Sequence, residues 1–319
     1  MAPQKPTVLV ICTITDEMAA QLAAHFDILH LSDLAEPTEQ LSKTGDTIPY
    51  VLTDGHLGLA SHLHADLPNL RAISSYGVGY DAIDTDATCG QGIPVSHTPD
   101  VLNEEVATTA IMLYLSCFRN FEAHLANARS GAWERETLPL ARSGDNRKVG
   151  ILGMGRIGEA VARKLQAFGV DIHYHNRNPK DVPYTYHANL LDMAQSVEAL
   201  ISVAPGGEAT HHLINDGVMT ALGPDGVLVN IGRGSVVDET ALISALSEGR
   251  LGWAGLDVFE NEPNIPAALR ALPNVILTPH IGSASVETRR AMGDLAVRNL
   301  IAHLETGKMI TPVPEAAHL

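Results

Sequence analysis

Three apolar runs end on residue types able to hold an anion and move a proton: NIGRGSVVDE carries Arg233, LDVFENEP carries Asp257 and Glu262, and VILTPHIGS carries His280. A guanidinium presents paired N–H donors that match a planar carboxylate, and its charge stabilises an oxygen turning anionic. An imidazole exchanges a proton near neutral pH, and a carboxylate beside it favours the protonated form. The three types together suit reduction of an anionic carbonyl compound, whose oxygen gains negative charge and then a proton. Taken singly, each has a plainer role: a solvated charge for Arg or Glu, a packed and hydrogen-bonded ring for His. The adjacent His211 and His212 suggest a metal, but no carboxylate or cysteine cluster completes a ligand set, so surface or packing roles and no metal are expected.

A glycine-rich turn adds an anion site. Gly153-Met154-Gly155-Arg156-Ile157-Gly158 fits GxGxxG, follows the run KVGIL and opens the helical stretch EAVARKLQAF, which Gly169 closes. Gly153 permits the tight turn, Gly155 lets the backbone approach a pyrophosphate, and Gly158 lets helix and strand pack closely. The helix N-terminus then offers amide donors and a partial positive charge. An ordinary glycine turn is the alternative; the strand before, the helix after and a second strand at the right distance favour a dinucleotide site.

That second strand runs out in IHYHNRN, residues 172–178. A carboxylate is expected there, roughly 20 residues past the glycines, to hold the adenosine ribose hydroxyls. Asn176 and Arg177 stand in its place. The neutral amide removes repulsion of a 2′-phosphate and the guanidinium supplies a planar partner for it, so NADP is expected over NAD, with NAD possible. The plainer alternative leaves Arg177 a solvated loop residue.

These residues need a scaffold of alternating strands and helices. Short strands are expected within 7–12, 48–54, 71–76 and 93–97, and a clearer series within 147–153, 170–175, 199–205, 227–232, 253–259 and 275–280, with helical patterns among them. The alternation predicts an α/β chain of two doubly wound domains with mostly parallel sheets. Pro99 disfavours helix at Thr98, and Asp100 is placed to cap a helix with Glu104 and Glu105 in its first turns. From Ser285, the spacing of Met292, Leu295, Ala296, Leu300 and Leu304 predicts a last amphipathic helix returning to the first domain. The domains are expected at 1–99 with 286–319, and at 100–285.

Composition narrows the function classes. Hydrophobic residues at 45% and charged ones at 18% are the balance of a globular chain. A formal charge of −16 opposes phosphate backbones and anionic lipid, so neither nucleic acid nor membrane is an expected partner. Cys12, Cys89 and Cys117 form no close pair or metal spacing and read as small apolar side chains in a reducing compartment. Residues 101–121 are apolar but acidic near their start, which suits a core helix. The opening MAPQKPTVLVICTIT reads as a first strand without a leader's long apolar region, and the final EAAHL is no peroxisomal address, so a cytoplasmic location is expected.

The motifs NxGRGxxVDE, GLDVFExEP and TPHIGS, with the glycine turn and the domain order, resemble the D-isomer-specific 2-hydroxyacid dehydrogenase family over most of the chain. The resemblance implies a Rossmann cofactor domain, a flavodoxin-like substrate domain and a homodimer. It implies that Arg233 binds the substrate carboxylate and ketone, that His280, alone among 15 histidines, is the general acid or base, and that Glu262 pairs with it. YGVGYD (76–81) resembles the family's substrate-carboxylate loop, implying backbone donors at Val78 and Gly79, and His280 would touch the substrate too. Cofactor contacts are implied at Gly153, Gly155, Arg156, Ile157, Gly158, Asn176, Arg177 and Asn178, then at Ala204, Pro205, Thr210, Ile231, Gly232 and Gly282. Asp257 resembles the residue near the nicotinamide carboxamide; a strand-end structural role is its alternative. Trp133 matches a position that in some relatives reaches a neighbouring subunit's site. Ala204-Pro205-Gly206-Gly207, where much of the family has Pro-Leu-Thr, resembles the glyoxylate and hydroxypyruvate reductase branch.

The expected activity is NADPH-preferring reduction of glyoxylate or hydroxypyruvate to glycolate or D-glycerate. Reduction of aromatic 2-oxo acids such as phenylpyruvate is the enzymatic alternative, and a dinucleotide-sensing interaction protein without physiological turnover is the alternative of another class.

Overall fold

Runs of Val, Ile and Leu that are apolar on both faces become buried parallel strands, because crossover helices cover both sides of such a sheet. In the computed structural model, which describes residues 5–319, these strands form two sheets in two units, one reaching to Leu102 and resuming at Ser285–Leu319, the other Asn103–Ala284. Met1–Gln4, the first residues of the opening segment read as a strand, lie outside the described residues.

The first unit holds β1 (Thr7–Val10), β2 (Asp27–His30), β3 (Tyr50–Thr53), β4 (Ala72–Ser75) and β5 (Val95–Ser96), paired in parallel in the order β2-β1-β3-β4-β5. This is the flavodoxin-like order. Leu9, Val51, Ile73 and Val95 are buried in its core. The helix Val286–Thr306, capped by Ser285 accepting from Thr288 N, belongs to this unit, and Ser74 Oγ in β4 donates to Ala296 O at 2.9 Å.

The second unit holds β6 (Lys148–Leu152), β7 (Asp171–His175), β8 (Thr185–His187), β9 (Ala199–Ser202), β10 (Val227–Asn230), β11 (Trp253–Leu256) and β12 (Val275–Leu277). All pair in parallel, in the order β12-β11-β10-β9-β6-β7-β8. The chain leaves β6 toward β7 and β8, then returns to β9 on the other side of β6, which creates the topological switch where α/β sheets bind ligands. The register matches Leu277 to Leu256, Asn230 to Leu256 and Ser202, and Leu152 to Ser202 and His175. Six strand ends therefore form one row.

Several local expectations change. The strands Asp27–His30 (DILH) and Thr185–His187 (TYH) were not anticipated; both are edge strands with polar ends, partly open to solvent. Asp100 takes a left-handed backbone, φ 70°, and the helix starts three residues beyond it, at Asn103. That helix stops at Phe118, and Asn120, also left-handed, starts a separate helix Phe121–Arg129. Cys12 and Cys117 are buried, as expected, while Cys89 is half-buried. Among the described residues no helix is long and apolar enough to cross a membrane.

Candidate active site

The row of strand ends collects nearly every residue singled out in the second unit. Along the sheet stand His280, three residues beyond β12; Asp257 and Glu262, beyond β11; Ile231, Gly232 and Arg233, beyond β10; Ala204 and Pro205, beyond β9; the glycine turn, beyond β6; and Asn176 to Asn178, beyond β7. Residues spread from position 153 to position 280 share one edge because parallel strands all end on the same side.

The glycine turn fits a pyrophosphate. Gly153 follows Leu152 directly and adopts φ 99°, a conformation side chains disfavour. A Cβ at Gly158 would sit 2.2 Å from Gly153 O, so only glycine allows the helix Arg156–Leu165 to start so near the strand. A Cβ at Gly155 would meet nothing within 4 Å, which leaves open space over the helix N-terminus, and the helix has no side-chain cap bond. Amides of the first turn lack intrahelical acceptors, so an anion in that space satisfies them. Asn176 braces the turn from the neighbouring strand: its Oδ1 accepts from Met154 N at 2.7 Å. Tyr186 Oη, on β8, donates to Asn176 O at 3.2 Å. Arg177 and Asn178 are exposed beyond this brace.

At the other end of the row, His280 Nδ1 and Glu262 Oε2 are 2.7 Å apart. A carboxylate only accepts, so Nδ1 carries the proton and Nε2 faces away from that bond. Glu262 is itself placed by Phe259 N, which donates to Oε1 at 3.0 Å. His280 has a left-handed φ of 52°, held by His280 N donating to Asp257 O at 2.9 Å. Arg233 is half-buried; its Nη1 donates to Gly232 O at 2.9 Å. The buried Asn230 ties the loop by donating to Arg233 O and accepting from Gly232 N.

Asp257, buried at 1% exposure, accepts from Thr278 Oγ1 at 2.7 Å and from Ile281 N and Gly282 N, each at 2.8 Å. Burial pushes its carboxyl above the usual range, against the pull of those bonds. Its carboxylate thus holds the turn that carries His280, the strand-end role weighed above as the alternative to a nicotinamide contact. Thr210 likewise turns its hydroxyl inward, donating to Pro205 O at 2.8 Å.

Three expected residues, Val78, Gly79 and Trp133, belong to other segments of the chain. The Val78–Gly79 turn belongs to the first unit, where Thr98 N donates to Gly77 O, His97 Nδ1 to Val78 O at 2.9 Å and Ser75 Oγ to Gly79 O. Trp133 is 72% exposed in a short turn, Ala132–Glu134. Sequence reasoning gave no role to Asn230, Thr278, Glu239 or Glu260, and only a surface or packing role to His212; all five hold the loops. Asn230 and Thr278 lie inside the recognised motifs, a signal that was there to use; His212 lies outside all of them.

The D-isomer specific 2-hydroxyacid dehydrogenase NAD binding domain model matches residues 111–282. The chain is 43% identical to glyoxylate/hydroxypyruvate reductase A HPR2 of Arabidopsis thaliana, over 96% of this chain and 98% of the relative. It is 40% identical to hydroxyphenylpyruvate reductase of Plectranthus scutellarioides, with the same coverage. Among solved structures, the NADPH-dependent glyoxylate/hydroxypyruvate reductase of Sinorhizobium meliloti, in complex with NADP and malonate, is similar with TM-score 0.93 and 44% identity, covering 98% of each chain. With the doubly wound fold and this strand-end row already in place, these matches establish that the chain belongs to the D-isomer-specific 2-hydroxyacid dehydrogenase family, oxidoreductases that work with a nicotinamide cofactor.

Proposed function

We propose that this protein is an NADPH-preferring reductase of small 2-oxo acids, with glyoxylate and hydroxypyruvate as substrates and glycolate and D-glycerate as products. The observation that carries the reading is the Glu262–His280 pair standing on the same sheet edge as Arg233. Similarity to the Arabidopsis and Sinorhizobium reductases supports the substrate class.

Arg233 holds the substrate carboxylate and keeps positive charge beside the carbonyl oxygen. The bound nicotinamide supplies the hydride that the carbonyl carbon accepts. His280 donates the Nε2 proton to the oxygen that becomes the hydroxyl, and Glu262 fixes the ring's orientation through Nδ1. In oxidation, neutral His280 takes that proton back. The turn at Gly153–Gly158 holds the cofactor pyrophosphate, and exposed Arg177 pairs with the 2′-phosphate, a partner that NADH lacks.

A homodimer is part of the reading. Met112, Phe121, Leu125, Trp133 and the fully exposed Leu140 present large apolar side chains within one stretch of chain, which favours burial against a second copy. The three free cysteines support a reducing, cytoplasmic setting. Light scattering on purified protein at the mass of one chain would remove the dimer.

The test of function is a steady-state panel of glyoxylate, hydroxypyruvate and phenylpyruvate crossed with NADPH and NADH. The highest kcat/KM is expected for one of the two small acids with NADPH. Similarity to the Plectranthus hydroxyphenylpyruvate reductase supports the aromatic alternative, which wins if phenylpyruvate leads. Cofactor binding without turnover on any acid would favour the sensing protein.

A further inference from the structure

His212 ties together the two loops that bear the proposed catalytic groups, though it lies outside every motif that pointed to them. Its segment runs along the Arg233 loop: His212 N donates to Ser235 O at 2.8 Å, Ile214 N to Val236 O at 2.9 Å, and Asp238 N back to Ile214 O at 3.1 Å. Its side chain turns to the next loop, where Nε2 and Glu260 Oε1 are 2.7 Å apart. Glu260 stands two residues before Glu262. The same Oε1 accepts from Glu239 N at 3.2 Å, and Glu239 Oε1 accepts from Glu260 N at 2.8 Å, a reciprocal exchange between the loops. They touch directly, since a Cβ at Gly234 would fall 1.9 Å from the carbonyl carbon of Phe259. Nδ1 of His212 lies 3.9 Å from Asp238 Oδ2, and its ring stacks on His211 at 3.9 Å between centroids.

We propose that His212 is a positioning residue for the reduction, setting the Glu262–His280 loop against the Arg233 loop through its bond to Glu260. The proposal rests on the roles assigned above to Arg233, Glu262 and His280. The Glu239–Glu260 exchange joins the loops without help from His212, so loss of the imidazole leaves the fold intact. What it removes is a charge-assisted bond that prevents Glu260, and with it the backbone leading to Glu262, from sliding along the Arg233 loop. Proton transfer depends steeply on such displacements. His212 holds a left-handed φ of 48°, and both its backbone and its ring are anchored, the condition under which such a conformation persists.

The experiment compares H212N with H212Q, using glyoxylate and hydroxypyruvate with NADPH. Asparagine tolerates the left-handed backbone, but its amide nitrogen reaches only the place of imidazole Nδ1; the glutamine amide reaches that of Nε2. H212N is expected to lower kcat about tenfold with NADPH Kd, read by fluorescence, within about twofold, and H212Q to recover to within about threefold of wild type. Wild-type kcat in H212N, equal losses in both variants, or a loss confined to cofactor Kd overturns the proposal. If H212N does not fold, E260Q takes its place with the same expected fall in kcat, and wild-type turnover there overturns it. H280N, run alongside, separates the two levels: its retaining turnover removes the reading of the site and this proposal together, whereas inactive H280N with fully active H212N removes only the positioning role. Wild-type protein that turns over neither acid removes both.

Discussion

Both units are parallel sheets of one construction, yet their strand ends are tied by different chemistry. In the first unit hydroxyls do most of the tying: Thr53 Oγ1 donates to Gly58 O, Ser75 Oγ to Gly79 O, and Ser96 Oγ to Ser74 Oγ, which in turn donates to Ala296 O. Asp54 accepts from its own turn, at His56 N and Leu57 N. In the second unit carboxylates and amides bridge between loops, with Asp257 gathering three donors, Glu239 and Glu260 exchanging bonds, and Asn176 and Asn230 bracing turns. A hydroxyl has one proton to give, whereas a carboxylate accepts several amides at once. Sheet type does not distinguish the edge proposed to carry the chemistry; the capacity of its tethers does.

The sharpest break in this comparison is expected at His280. H280N should lower kcat by about 10²- to 10⁴-fold with NADPH affinity retained, the range general acid catalysis supplies; single-turnover kinetics and fluorescence titration would check both halves, and near-normal turnover would remove His280 as the acid. Next comes Asp257. Asp257→Ala leaves Ile281 N and Gly282 N without their acceptor and should destabilise the second unit by about 3 kcal/mol, against about 1 kcal/mol for Ser75→Ala in the first. Urea unfolding of the two variants measures this, and equal losses would erase the distinction between carboxylate and hydroxyl tethers.

A smaller effect is expected at the far end of the row. Arg177→Ala should raise the Kd for NADPH about tenfold and leave NADH within about twofold, because the proposed partner of the guanidinium is the 2′-phosphate that NADH lacks; equal changes for both cofactors would defeat that assignment. The smallest is a pH effect in the first unit. His303 is buried, with Nδ1 3.4 Å from Tyr50 Oη, and burial, aided by Arg71, lowers its pKa from 6.5. The unfolded chain therefore binds the proton more readily, so stability is full above 6.5 and is lost as pH falls through the folded value. H303F should flatten the thermal midpoint between about pH 5 and 7; an unchanged slope would mean His303 is not its source.

How much was legible depended on whether a feature was local. The strands at Lys148–Leu152, Ala199–Ser202 and Val227–Asn230 were readable because, beyond the exposed Lys148, both of their faces are buried, which demands apolar runs. Asp27–His30 and Thr185–His187 were not: an edge strand keeps one side in water, so its residues carry little pattern and pairing with β1 or β7 decides it. Pro99-Asp100 reads as a helix start, but the left-handed turn at Asp100 postpones the helix. In the site, Arg233, Glu262 and His280 were visible as types inside motifs, whereas the bond from His212 to Glu260 spans 48 residues and leaves no periodic trace.

By itself the sequence determined the alternating α/β pattern, the glycine positions that only a residue without a side chain can fill, and the presence of a guanidinium, a carboxylate and an imidazole after apolar runs. Only the tertiary structure decided that Asp257 turns to backbone amides, that Asn176 reaches back to Met154 N, and that His212 meets Glu260. The physical reason is range. Backbone conformation and strand burial are set by neighbours in the chain, but a hydrogen bond needs its atoms within about 3 Å, and between distant segments only strand register and loop packing bring them there.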